Sequence, residues 1–265
     1  MTSTLETVAY RAPLALRVTD ASTGGAVADG LVATAWPAGD PTAARTARKS
    51  TISELLGFGT LPGLRSLELA AAKGDNRPTF PPVQRRPFVV RVLDTFARFL
   101  PQLITVDVPR SSALDVALFS APGRPRLPGW ATVSGEVHVS GNGAATAWAV
   151  IRMNDGASTF DAVTDEAGRF LIYLPYPEAL PPLAGNPPPA GGIGLVSWPL
   201  TCTVRAEPAA LLWPVPEGPG VPPEISSIRG QAAAQISTGA GSQPSVTATL
   251  QFGTPLLLPL QVVPA

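Results

Sequence analysis

The chain is poor in the residues that carry most covalent and metal chemistry. Its 265 residues include one histidine (His138), one cysteine (Cys202) and two methionines. A single cysteine excludes an intrachain disulfide and agrees with folding in a reducing compartment. His138 with Glu136 on the same strand face makes too few ligands for a zinc site. Charge is scarce as well: Asp, Glu, Lys and Arg together make up 14%, against roughly 25% in an average soluble domain. Basic and acidic residues each number 19, for a formal net charge of zero. There is no basic field to attract nucleic acid and no acidic tail to imitate it. No apolar run reaches the ~18 residues of a spanning helix, so no membrane insertion is expected. Residues 1–18 lack a basic start followed by an apolar block, so no secretory signal is expected either.

Proline and glycine are abundant, at 31 and 25 residues, which argues against long helices and for strands, turns and extended arms. Hydrophobic residues make up 45%, enough for a core. So thin a coat of charge over ordinary hydrophobicity suggests a surface partly covered by other protein.

Strand periodicity runs through the chain. Leu14, Leu16 and Val18 share one side of "LALRVTD", with Arg17 and Thr19 on the other. "FVVRVLD", "LITVDVP" and "ATVSGEVHVSG" read as further strands, and 38–55 and 73–87 as exposed loops. "LRSLELAAAKGD" is the best helical candidate. "AVTDEAGRFLIYLPYP" reads as a turn and the second strand of a hairpin, apolar on both faces. The expected fold is all-β: a first β-sandwich over 8–110, a second over 111–180, and a proline-rich extended segment with C-terminal strands over 181–265. That last segment is apolar as well as proline-rich. Disordered linkers are usually polar, so it reads as an arm laid on a neighbouring surface.

Residues 133–177, through "VSGEV", "GAATAWAVIRM" and "TDEAGRFLIYLP", resemble a carboxypeptidase-regulatory-like (transthyretin-like) β-sandwich repeat. In that pattern Asp165 caps the turn, Gly168 takes a left-handed conformation and Phe170 plugs the core. Residues 14–69 resemble a looser copy, with Phe58 in the part of Phe170. A second resemblance spans roughly 10–175 and the last strand. The order "GFGTLPGLR", "FVVRVLDTFARFLPQLITVDVP", "ALFSAPGRPRLPGWATVSGEV", "LQFGTPLLLPL" is similar to accessory proteins encoded with phage-tail-like contractile injection systems. The resemblance implies a structural part of the baseplate, cap or another peripheral layer, with other subunits as partners. It also implies cytoplasmic synthesis and assembly, then residence in an intracellular or released particle. It carries no catalytic motif.

The candidate chemistry is thin. His138 and Glu136 read as an exposed strand pair, and Cys202 as a buried structural thiol. No Gly-x-Ser-x-Gly elbow is present. Asn154, Asp155, Asp161, Asp165 and Glu166 do not match the spacing of a calcium loop and suit turns. No enzyme activity, catalytic residue, metal or cofactor is expected. The residues expected to make contacts are Leu171, Tyr173, Trp198, Trp213, Phe252 and Leu256. Leu171 and Tyr173 lie on the strand face opposite Phe170, Ile172 and Leu174, turned to a partner or another domain. The alternative is a secreted or surface module binding carbohydrate or protein through its tryptophans.

Overall fold

The computed structural model describes residues 9–64, 67–69, 84–176, 197–238 and 241–264. The all-β expectation holds, with two sandwiches built to one plan. In the first, β2 (Leu14–Asp20) pairs antiparallel with β6 (Leu56–Phe58) and parallel with β10 (Leu114–Leu118). β5 (Arg48–Lys49) closes that sheet. The facing sheet runs in the order β4 (Arg45–Thr46), β3 (Leu31–Pro37), β8 (Arg86–Asp94), β9 (Gln102–Val108). A separate two-stranded ladder joins β1 (Ala9–Arg11) and β7 (Leu67–Leu69). The expected helix "LRSLELAAAKGD" (64–75) instead supplies strand β7 at 67–69, and its residues 65, 66 and 70–75 lie outside the described ones, as does most of the expected loop 73–87.

The second sandwich repeats the plan. β11 (Trp130–Val139) pairs antiparallel with β14 (Arg169–Pro175) and parallel with β19 (Leu256–Leu257) and β20 (Leu260–Val263). β16 (Gln235–Thr238) and β17 (Gly241–Gln243) extend that sheet beyond β20. The facing sheet runs β13 (Thr159–Val163), β12 (Val150–Asn154), β15 (Ser197–Arg205), β18 (Val246–Gln251). Thus β10-β2-β6 matches β20-β11-β14, and β4-β3-β8-β9 matches β13-β12-β15-β18, in spatial order and in direction. Phe58 and Phe170, each 1% exposed, plug corresponding cores.

Three expectations are corrected. The first sandwich does not end at 110: β10 (Leu114–Leu118) pairs with β2 and packs in its core, so the boundary falls between β10 and β11. The segment 181–265 is not a separate extended unit: over its described residues it supplies β15–β20, which complete the second sandwich. Its apolar terminus docks on β11, where Leu260 and Val262 are buried. The prolines mask this in the sequence because they punctuate short strands instead of abolishing them. Residues 177–196 fall outside the described ones. The hairpin expectation changes as well: β14 pairs with β11, not with β13. The turn between β13 and β14 carries the chain from one sheet to the other. Thr164, fully buried there, accepts from Ala149 N and donates to Thr146 O.

Within that turn Asp165 caps as its side chain predicts, accepting from the main-chain amides of Ala167 and Arg169. Gly168 has φ +75°, and a Cβ there would press on Val137 O. Apolar residues line each interior at strand period two: Ile151 and Met153, Phe170, Ile172 and Leu174, Cys202 and Val204 in the second; Phe88, Val90 and Val92 in the first.

Residues 207–231, between β15 and β16, cross back to the first sandwich as a strap. Leu211, Trp213 and Ile228 pack with Leu100 and Phe119 of the first sandwich and with Trp148, Val150 and Val163 of the second. Val215 and Val221 cover Trp36, Val89 and Leu103, which face outward from the β3-β8-β9 sheet. Closely spaced prolines leave the strap little conformational freedom to lose and few N–H groups to satisfy, so docking it is cheap. It ends in α1 (Ile225–Gly230), whose N-cap Glu224 accepts from the amides of Ser226 and Ser227. The apolar arm read from the sequence exists, and its neighbouring surface is the protein's own first sandwich.

Candidate interaction surface

The predicted contact residues separate into an inner group and an outer one. Leu171 and Tyr173 are buried, at 5% and 0% exposure. Their face of β14 meets the connector between the sandwiches, and the Tyr173 hydroxyl donates to the carbonyls of Arg124 and Pro125 at 3.1 and 2.7 Å. Of the two possibilities, a partner or another domain, their apolar surroundings are internal. Trp213 is held in the strap and Leu256 packs on the second core. None of these four forms a free surface.

Trp198 and Phe252 form the outer group. Trp198 sits on β15 opposite Leu250 of β18. Phe252 follows β18 directly and is 40% exposed. Tyr176, the residue after β14, joins them: its ring lies 4.6 Å from Phe252 and 6.0 Å from Trp198, centroid to centroid, in tilted packing. Such pairs contribute about 0.5–1.5 kcal/mol each beyond area burial. The Tyr176 hydroxyl accepts from Gly253 N at 3.0 Å, tying the loop after β18 to the end of β14. The sequence analysis missed Tyr176; an aromatic residue between two prolines at the end of an apolar strand was the signal available. Beside the rings runs an open groove of about 280 Å³, lined by Arg126, Trp130, Thr132, Tyr176 and Pro255 among others. The arrangement sets tilted aromatic rings beside a groove that carries Arg126 and Thr132; aromatic residues and arginine are enriched at protein contacts.

The remaining candidates are occupied structurally. His138, half-buried on β11, has one ring nitrogen 3.1 Å from Glu136 Oε2 and the other 3.1 Å from Gly143 O. Cys202 is fully buried, and burial pushes its thiol up to about 12. Asp161 is held by both Arg152 nitrogens, and Asp165 by Arg169 and turn amides. Asp155 Oδ1 accepts from the amides of Ala157 and Ser158. These carboxylates are satisfied by the protein itself. Among the described residues no three His, Cys, Asp or Glu side chains gather as a metal set, and no helix is long and apolar enough to cross a membrane.

No family model and no curated protein matches the chain. Similar solved structures include the Bacillus anthracis TIE protein, at 10% identity and TM-score 0.28, over 96% of this chain and 34% of that one. A shaft pilin of Lactobacillus rhamnosus GG aligns at 8% identity and TM-score 0.27, covering 97% and 98% of the two chains. A streptococcal ancillary pilin aligns at 11% and 0.22, covering 96% and 63%. The chain thus spans about a third of the length of the first. Superpositions this loose carry no information on function.

Proposed function

We propose that the chain is a non-enzymatic structural subunit that works by attachment to other proteins, with Tyr176, Trp198 and Phe252 at the contact. One observation carries this reading: the molecule uses its apolar arm on itself, yet a tilted triad of rings, half-buried at Tyr176 and Trp198 and exposed at Phe252, borders an open groove. Aromatic side chains in such clusters supply large contact area at low entropic cost. The two sandwiches, locked by the strap, would act as a stiff spacer behind the contact. The finer proposal is a component of a phage-tail-like contractile injection particle, in its baseplate, cap or a peripheral layer. Its support is the sequence resemblance described above. Attachment of this kind needs neither cofactor nor nucleic acid.

The test is co-sedimentation with particles from cells producing the protein. The Trp198→Ala/Phe252→Ala variant is compared with wild type and with the milder Phe252→Ala. Wild type should travel with the particle, and the double variant should be released while still folded by circular dichroism, with a somewhat lower melting temperature for its lost ring contacts. A folded double variant that still co-sediments would count against the patch. A wild type absent from every assembly would count against the subunit reading.

A second reading has an observation of its own. Trp130 and Tyr176 line an open groove that also carries Arg126 and Thr132, a combination suited to a saccharide ring. Binding to a glycan array, lost in Trp130→Ala and kept in Phe252→Ala, would favour it.

A further inference from the structure

We infer that the outer edge of β18 pairs with β18 of a second copy of this chain, antiparallel about a two-fold axis. This goes beyond attachment through the aromatic rings and stands on different residues.

The duplicated plan supplies an internal control. β9 and β18 hold the same place, each the terminal strand of the equivalent four-stranded sheet. The outer side of β9 is closed by the strap: Leu103 bridges in parallel with Glu224, and Thr105 N donates to Glu224 Oε1 at 3.3 Å. β18 pairs with β15 alone, and among the described residues nothing bridges its other side. An open edge presents unpaired N–H and C=O groups to any extended strand.

Other edges among the described residues are short or carry a charge or a proline, β14 among them with Arg169 and Pro175 at its ends; β18 has none of these. β4 and β5 are two residues each and carry Arg45, Arg48 and Lys49. β10 carries Asp115, and β13 carries Asp161. β17 is three residues long and begins with glycine. β18 is six residues, "VTATLQ", without charge, proline or glycine. Thr247, Thr249 and Gln251 face solvent, while Val246 and Ala248 are half-buried and Leu250 is buried on the core side.

Self-pairing matches this pattern. Opposed residues in a sheet share a face, so a two-fold axis must pass midway between one residue of the strand and its own copy. Centred on Thr249, it opposes Thr249 to its own copy, Ala248 to Leu250, and Thr247 to Gln251. Centred on Ala248, it opposes Thr247 to Thr249 and Val246 to Leu250. In both registers polar meets polar outside, apolar meets apolar inside, and no like charges oppose each other. Two four-stranded sheets become one of eight strands. With the axis at Thr249 the two Phe252 residues end about 20 Å apart along the paired strands, at about 3.4 Å per residue. Both ring clusters then lie at the ends of the pair, open to further subunits.

The experiment is sedimentation equilibrium of the full chain, with hydrogen exchange read at residues 246–251. Wild type should dimerise with rising concentration, and the outward-pointing amides of β18 should slow in step. Thr247→Lys/Thr249→Lys sets like charges across the axis in either register, on side chains that already face solvent, and should weaken dimerisation by about tenfold or more. Ala157→Lys, at the exposed β12–β13 turn, should leave it unchanged. Melting profiles confirm that each variant folds. Wild type that stays monomeric up to about 100 µM overturns the inference. So does a dimer indifferent to the two lysines, or an edge closed only by another protein's strand. Loss of particle association by the ring variants with the dimer intact separates this result from the attachment reading.

Discussion

Arg124 Nη2 lies 2.7 Å from Asp20 Oδ2, an ion pair closed across 104 positions of sequence at the junction of the two sandwiches. Both side chains are nearly buried, at 9% and 4% exposure. The same guanidinium reaches Ser120 Oγ at 2.9 Å and lies over the rings of Phe99 and Tyr173, 4.5 and 5.1 Å from their centroids. Tyr173 answers from the second sandwich by bonding the carbonyls of Arg124 and Pro125. The connector is thereby pinned from both sides.

Arg124→Met should therefore destabilise the protein by about 3–5 kcal/mol in chemical denaturation, because the Asp20 carboxylate is left buried without its partner. The effect should depend on pH. Burial acts to raise the Asp20 pKa, but Arg124, Ser22 and Thr23 outweigh it and hold the group below its usual 3.8. A depressed carboxylate contributes stability above its unfolded value, and that contribution is lost as pH falls through the folded value. Wild type should thus keep this increment above pH 3.8 and lose it on further acidification. The variant should lack it, and the gap between the two should narrow in acid.

Tyr173→Phe removes the hydroxyl that meets two main-chain carbonyls and leaves the ring in place. A loss of about 1–2 kcal/mol is expected. Were Tyr173 a partner contact, stability would be unchanged and only association would suffer.

Glu224→Ala should loosen the strap without unfolding either sandwich. Its carboxylate caps α1 and also receives Thr105 N from the first sandwich. A cost of about 1–2 kcal/mol is expected. Hydrogen exchange should accelerate within 207–231 and at Thr105, while β11 and β14 stay protected.

Gly135→Ala tests the docking of the C-terminal strands. A Cβ at Gly135 would collide with the main-chain carbonyl of Leu258, whose amide bonds Ser134 O. A destabilisation of about 1–3 kcal/mol is expected, with faster exchange at β19 and β20.

Cys202 should be inert in the native protein. With its thiol pushed to about 12 by burial, it holds about a thousandfold less thiolate at pH 8 than a thiol at 9.0. Alkylation should wait for unfolding, so its rate reports global opening.

Local chemistry is legible in this sequence and long-range pairing is not. Asp165, Gly168 and Phe170 carry the capped turn and core plug that the resemblance to a carboxypeptidase-regulatory-like repeat implies, and the structure seats each accordingly. The alternation in "SVTATLQFG" likewise marks β18 and its buried Leu250. Hidden from a strand pattern is which strand lies beside which. The parallel pairing of β10 with β2, and of β20 with β11, joins residues 98 and 123 positions apart, and nothing in either segment names the other. The same limit explains Leu171 and Tyr173. A strand apolar on both faces must be covered on both, but the cover, a proline-rich connector anchored by Arg124, shows no periodicity to read. Residues 207–231 are apolar enough to reveal that they dock, and their own first sandwich is the target.

The central claim is that this molecule is an attachment subunit of a larger particle. The direct measurement is electron-microscopic imaging of particles purified from cells with and without its gene. The account predicts a discrete layer of density that vanishes with the gene and returns with wild type, but not with Trp198→Ala/Phe252→Ala. Identical particles in both preparations, with the protein in neither, would contradict it.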